Sequence, residues 1–165
     1  MCYLGWQESL EKLAKLVEPE IPDAKLSVLN HFSINQRMFT LDQINEIHKR
    51  FGKQATLPEY LRALKAIGID KCDSFIADGH SEYFGINNQR TVSPPVHEKL
   101  SIASTSNRED LLTHLSLHNQ GKTGYLEMVR GLADSGIEKW SFDTGEMTIT
   151  YYDREGRGML VEAIG

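Results

Sequence analysis

The chain has 165 residues, 40% hydrophobic and 25% charged, which suits one globular domain with a short appendage and excludes two independent cores. Its 18 Lys+Arg against 23 Asp+Glu give a formal charge of −5, so bulk charge offers no pull toward nucleic acid or anionic membrane, and neither partner is expected. Two cysteines, Cys2 and Cys72, form no disulfide framework or zinc spacing, the start carries no secretory pattern, and no apolar run nears the roughly 18 to 20 residues of a bilayer span, so a cytoplasmic protein is expected.

In chain order, residues 7 to 18 carry Leu10, Leu13, Leu16 and Val17 at helical spacing, and Pro19 and Pro22 stop that helix. Residues 1–37 are expected to be an N-terminal helical arm on a single domain of residues 38–165. Helices follow at about 41 to 52 and 57 to 67, with Thr40 as the first N-cap and Gly52 as a terminal glycine. Strands are expected near 69 to 77, 80 to 85, 90 to 93 and 96 to 103, the first two joined by a turn at Asp78-Gly79. A second set has helices at about 108 to 119 and 123 to 135, the latter capped by Thr123, then strands near 137 to 142, 146 to 152 and 158 to 164.

The two sets are an internal repeat. Shifting the chain by 68 residues without gaps matches Asp42, Glu59, Arg62, Leu64, Gly68, Ile69, Lys71 and Tyr83 with Asp110, Glu127, Arg130, Leu132, Gly136, Ile137, Lys139 and Tyr151. Halves of about 40–103 and 108–164 each read as helix-helix-strand-strand-strand. Strands joined by tight turns pair antiparallel, so the expected fold is α+β, with an antiparallel sheet shared between the halves and covered by their helices. The acidity is uneven, with 6 basic and 10 acidic residues between 108 and 165.

The runs FIADGHSEYFG, HNQGKTGYLEMVRGLADSGIEKW and MTITYYDREG resemble the YbcV/YdfO-like family of bacterial and prophage-borne proteins, sometimes labelled "phage envelope protein". The resemblance spans about Phe39 to Ile164 and leaves residues 1–37 outside. It implies a bacterial or prophage setting and no mechanism, since the biochemical function of that family is unknown.

Candidate chemistry gathers in the first half. Asp78, His80 and Glu82 alternate and on one strand would share a face, with His97 on a later strand as a further ligand or base. The simpler reading makes Asp78-Gly79 a hairpin turn and leaves His80 and Glu82 aligned. Tyr83 and Tyr151 occupy matching repeat positions beside Phe84 and Tyr152, either as core or as the wall of a pocket. His114 and His118 have metal-ligand spacing without an acidic partner between them, and buried helix histidines are the plainer account. QGKTG lacks the first glycine of a phosphate loop, which would stand at Ser116.

No catalytic constellation assembles from these motifs, so the expected function is a small non-catalytic binding or regulatory protein, without cofactor or resident metal, whose partner is an unidentified protein or a second copy. The competing expectation is an enzyme or small-ligand protein with a ligand site at His80, Glu82, Tyr83, His97 and Tyr151.

Overall fold

A computed structural model describes residues 38–52 and 56–165. The expected arm, with its helix at 7 to 18, lies outside the described residues. Along the rest run α1 (Leu41–Phe51), α2 (Leu57–Ala66), β1 (Ile69–Phe75), β2 (Ser81–Gly85), a 3-10 turn at Ile86–Asn88, β3 (Arg90–Val92), α3 (Arg108–Asn119), α4 (Tyr125–Asp134), β4 (Ile137–Asp143), β5 (Thr148–Asp153) and β6 (Gly158–Ala163). The fold is α+β, as expected.

Local chemistry explains the boundaries. Thr40 caps α1: its hydroxyl accepts from the Gln43 N–H, and the Gln43 side chain accepts from the Thr40 N–H in return. The cap of α4 is Gly124 rather than Thr123, with the Glu127 carboxylate accepting from the Gly124 N–H at 3.4 Å. Thr123 instead offers its carbonyl to Nδ1–H of the buried His118, 2.9 Å away. Gly68 and Gly136, matched in the repeat, both turn the chain from helix to strand at positive φ, 95° and 78°.

The six strands form one antiparallel sheet in the order β3-β2-β1-β4-β5-β6. The first strand of each half pairs with the other at the centre, and the hairpins extend outward. Their registers repeat: Ile69 faces Gly85, Lys71 faces Phe84 and Cys72 faces Tyr83, while Ile137 faces Asp153, Lys139 faces Tyr152 and Trp140 faces Tyr151. Each set is the other shifted by 68, and both hairpins carry an irregularity after their first pair. Between β1 and β4, Asp73 faces Ser141, its own counterpart in the repeat, so that pair lies on the pseudo-twofold axis.

Alternation along the strands sends one face into the core. Cys72, Tyr83, Trp140, Phe142, Ile149 and Tyr151 join Tyr60, Leu61, Leu64, Leu111, Val129 and Leu132 of the helices in one buried cluster. The helices pack on that face. The stretch expected as a strand at 96 to 103 is not one: its N–H groups donate outside any ladder, Val96 and His97 to Asp78 O, Leu100 to Ala77 O and Ala103 to Ala133 O. Pro94 and Pro95 precede it, and a segment crossing from one half to the other spends its backbone on whatever it passes.

Candidate functional site on the uncovered sheet face

Among the described residues no helix covers the opposite face. Three cross-strand rows make it up. The axial row reads Val92, Glu82, Asp73, Ser141, Thr150, Val161 across all six strands. Beside it run Arg90, Phe84, Lys71, Asp143, Thr148, Ala163, and on the other side Phe75, Lys139, Tyr152, Gly158.

At the axis the Asp73 carboxylate is buried although it stands on the open face. Its Oδ1 accepts from the Ser141 hydroxyl at 2.6 Å, and its Oδ2 meets both Lys139 Nζ at 3.0 Å and Lys71 Nζ at 3.3 Å. The ammonium groups are bracketed by rings: Lys71 Nζ lies 5.5 Å from the Phe84 centroid, and Lys139 Nζ lies 5.7 Å from Phe75 and 5.5 Å from Tyr152. Phe84 and Tyr152 are repeat counterparts, as are the two lysines. Duplication thus sets two like-charged side chains symmetrically about one carboxylate, on a half-exposed aromatic floor.

The residues expected from sequence to form a site are partly gathered and partly dispersed. His80 lies in the β1–β2 turn, its ring stacked on Phe75 at 4.5 Å, with Nδ1 2.5 Å from Asp78 Oδ1. Asp78 Oδ1 also accepts from the His80 N–H at 3.0 Å, so Asp78 belongs to the turn. Burial works to raise the Asp78 carboxyl, but the His80 N–H, the His80 ring and His97 outweigh it and hold it below the usual carboxylate range. His97 sits across the same turn, close against Gly79, with Nδ1 donating to Glu98 O at 2.8 Å and its ring tilted on Tyr125 at 6.0 Å. The turn therefore holds His80 on the Asp78 carboxylate, and His97 reaches Asp78 through its backbone N–H, which donates to Asp78 O at 3.2 Å.

Glu82, further along β2, is ion-paired with Arg90. Tyr83 and Tyr151 lie on the helix-covered face and are buried in the core, which separates them from His80 and Glu82 by the thickness of the sheet. A one-residue step along a strand reverses the face, so Glu82 and Tyr83 cannot serve one site. Burial raises the hydroxyl of Tyr83 well above its ordinary value, and burial, with the Asp73 charge adding to it, does the same to the neighbouring Cys72 thiol, which rules out an activated thiolate there. His118 is spent on Thr123, and His114 lies against Gly131 with no room for a side chain at that glycine. No group of three metal-binding side chains converges among the described residues.

Sequence reasoning missed Lys71, Asp73, Phe75, Lys139 and Ser141. The available signal was the repeat: Lys71 and Lys139 are among the matched positions, and i, i+2 spacing places Asp73 and Ser141 beside them on the same face.

A family model described as protein of unknown function (DUF1398) matches residues 45–163, which takes in both halves of the repeat. No curated protein matches the chain.

Proposed function

Since the chain belongs to the DUF1398 family of unknown function, we propose, from its own geometry, that it is a non-catalytic binding or regulatory protein whose working surface is the uncovered face of the sheet and whose ligand is a small molecule with both flat apolar and charged parts. The observation that carries this reading is the Lys71, Asp73, Lys139 set, held by Ser141 and bracketed by Phe75, Phe84 and Tyr152. Strand positions and ion pairs fix these groups on one face, with the Asp73 carboxylate buried and the two lysines partly exposed, which is the preorganisation a binding site requires. Within the family, the runs around Gly79, Gly124 and Tyr151 support a place among the YbcV/YdfO-like, prophage-borne proteins, and a bacterial cytosolic setting goes with that reading.

An amide-resolved NMR screen of small aromatic and aliphatic fragments against the full chain tests it. Perturbations concentrated at residues 71–75, 82–84, 139–141 and 150–152 are expected. Perturbations confined to the helices, or none, would overturn it. A second copy as the occupant would instead shift the same residues with protein concentration alone and double the mass seen by light scattering.

The enzyme reading keeps one supporting observation: Asp78 engages Nδ1 of a partly exposed His80 ring, an orientation of imidazole by carboxylate that suits a general base. His97 stands across the same turn, whereas Glu82 is held by Arg90 and the tyrosines are enclosed in the core.

A further inference from the structure

We propose that Lys71 and Lys139 form an anion-binding centre on the pseudo-twofold axis, taking the carboxylate or phosphate of a small aromatic ligand whose ring lies on the surrounding Phe84, Phe75 and Tyr152. This rests on the sheet-face reading and names the chemistry of its occupant.

The two ammonium groups approach a single oxygen, Asp73 Oδ2, at 3.3 and 3.0 Å, and the other oxygen of that carboxylate is taken by the Ser141 hydroxyl at 2.6 Å. Within ion-pair distance, one carboxylate therefore serves two ammonium groups. Repeat symmetry shows what is missing: each half supplies one lysine, but the axial position that is Asp73 in the first half is Ser141 in the second.

The other carboxylates of the face are engaged elsewhere. Glu82 pairs with Arg90. Asp143 faces Lys71 in register, yet its Oδ1 accepts from the Gly145 N–H at 2.9 Å and the Glu146 N–H at 2.8 Å, and it makes no ion pair with Lys71 among the described residues. The lysines remain accessible, their side chains 46% and 24% exposed, with aromatic rings 5.5 to 5.7 Å from their ammonium groups. An incoming anion gains two charge-assisted hydrogen bonds and needs little rearrangement of the site. The rings that bracket the lysines give an attached aromatic group an apolar surface on which to stack.

The test titrates the full chain with four probes followed by NMR: benzoate, phenyl phosphate, benzyl alcohol and inorganic phosphate. The two aryl anions, or one of them, should perturb residues 71–75 and 139–141 and bind at least about tenfold more tightly than the ring alone or the anion alone. Which aryl anion binds better assigns carboxylate or phosphate. Lys139→Met and Lys71→Met should each weaken binding by about tenfold. Ser141→Asp, which supplies the second carboxylate from within, should do the same while thermal melting shows the variant folded. The lysine variants decide the matter if Ser141→Asp unfolds. Unchanged affinity in both lysine variants would overturn the proposal. Equal binding of benzyl alcohol at the same residues would also overturn it and leave the sheet-face reading standing. Absence of aryl-anion binding would overturn it too, with the fragment screen judging that broader reading separately.

Discussion

Acid should begin to weaken this fold above the range in which carboxylates protonate, through His48. The residue lies on α1, is 1% exposed and meets Tyr60 edge-on at 5.6 Å. Burial lowers its pKa from 6.5 to about 3. The folded value is therefore depressed, and the unfolded chain takes up the proton first. The stabilisation is complete above the unfolded value and is lost as pH falls from 6.5 toward about 3.

Within that window each pH unit removes up to about 1.4 kcal/mol, so going from pH 7.5 to 5 should cost about 2 kcal/mol. For a domain of this size that corresponds to roughly 8 °C in Tm. Stopping at pH 5 avoids Asp78 and Asp153. Burial works to raise both carboxyls, but hydrogen bonds outweigh it and hold both below the usual range, so their stabilising contribution is lost only at lower pH. The assay is urea unfolding followed by tryptophan fluorescence at several pH values, on the parent and on His48→Leu. Absolute stability can move either way in the variant, since an imidazole is exchanged for an alkyl group; the pH slope is the readout. A parent flat to within about 0.5 kcal/mol between pH 7.5 and 5, or a His48→Leu variant with the parent's slope, would refute the reasoning.

Three further outcomes are expected. Asp73→Asn deprives two lysines and Ser141 of their shared carboxylate and should cost about 2 to 4 kcal/mol in urea unfolding; a loss below about 0.5 kcal/mol would show the axial cluster to be energetically idle. Gly136 and Gly156 have nearly equal φ, 78° and 79°, but a Cβ at Gly136 would lie 2.6 Å from Thr105 O whereas one at Gly156 meets nothing within 4 Å. Gly136→Ala should therefore lower Tm clearly more than Gly156→Ala, and equal losses would reduce both to backbone strain. A chain truncated to begin at Met38 should keep a single cooperative thermal transition, and a broad or absent transition would make residues 1–37 part of the core.

The repeat was the part of the fold most legible in sequence, because it constrains two stretches at once. Gly68 with Gly136 and Lys71 with Lys139 appear there as identities, and the structure returns them as matching turns and matching registers. The segment at 96 to 103 was misleading for a physical reason: Val96, Leu100 and Ile102 pack against the core, but apolar spacing reports burial and says nothing about where the N–H groups donate. The site was half legible. His80 and Asp78 do meet at the turn, and His97 packs against Gly79 beside them. Tyr83 and Tyr151 are matched aromatics, which in sequence suits a shared pocket wall, yet matched positions also share the buried face. The axial cluster depends on β1 pairing with β4, a contact between residues 68 apart in the chain, which single-strand alternation does not specify.

That pairing also explains why the two halves differ where they meet. When the first strands of a duplicated unit pair antiparallel about their own axis, the axial position faces its own copy, so a residue there must tolerate itself as a neighbour. Aspartate would set two carboxylates side by side, and directly opposed like charges destabilise a sheet. Asp73 against Ser141 avoids that pairing across the axis and gains the 2.6 Å hydrogen bond between them, while Glu82, which faces Asp73 from β2, is neutralised by Arg90. The flanking position lies off the axis and is free of that constraint, so lysine stands there in both halves, each over the aromatic residue of its own return strand. Breaking the symmetry at one residue thus leaves two lysines to one carboxylate at the centre of the sheet. The two-to-one ratio is confined to that contact, since the face as a whole sets Arg90, Lys71 and Lys139 against Glu82, Asp73 and Asp143, and the overall charge of −5 gives no sign of it.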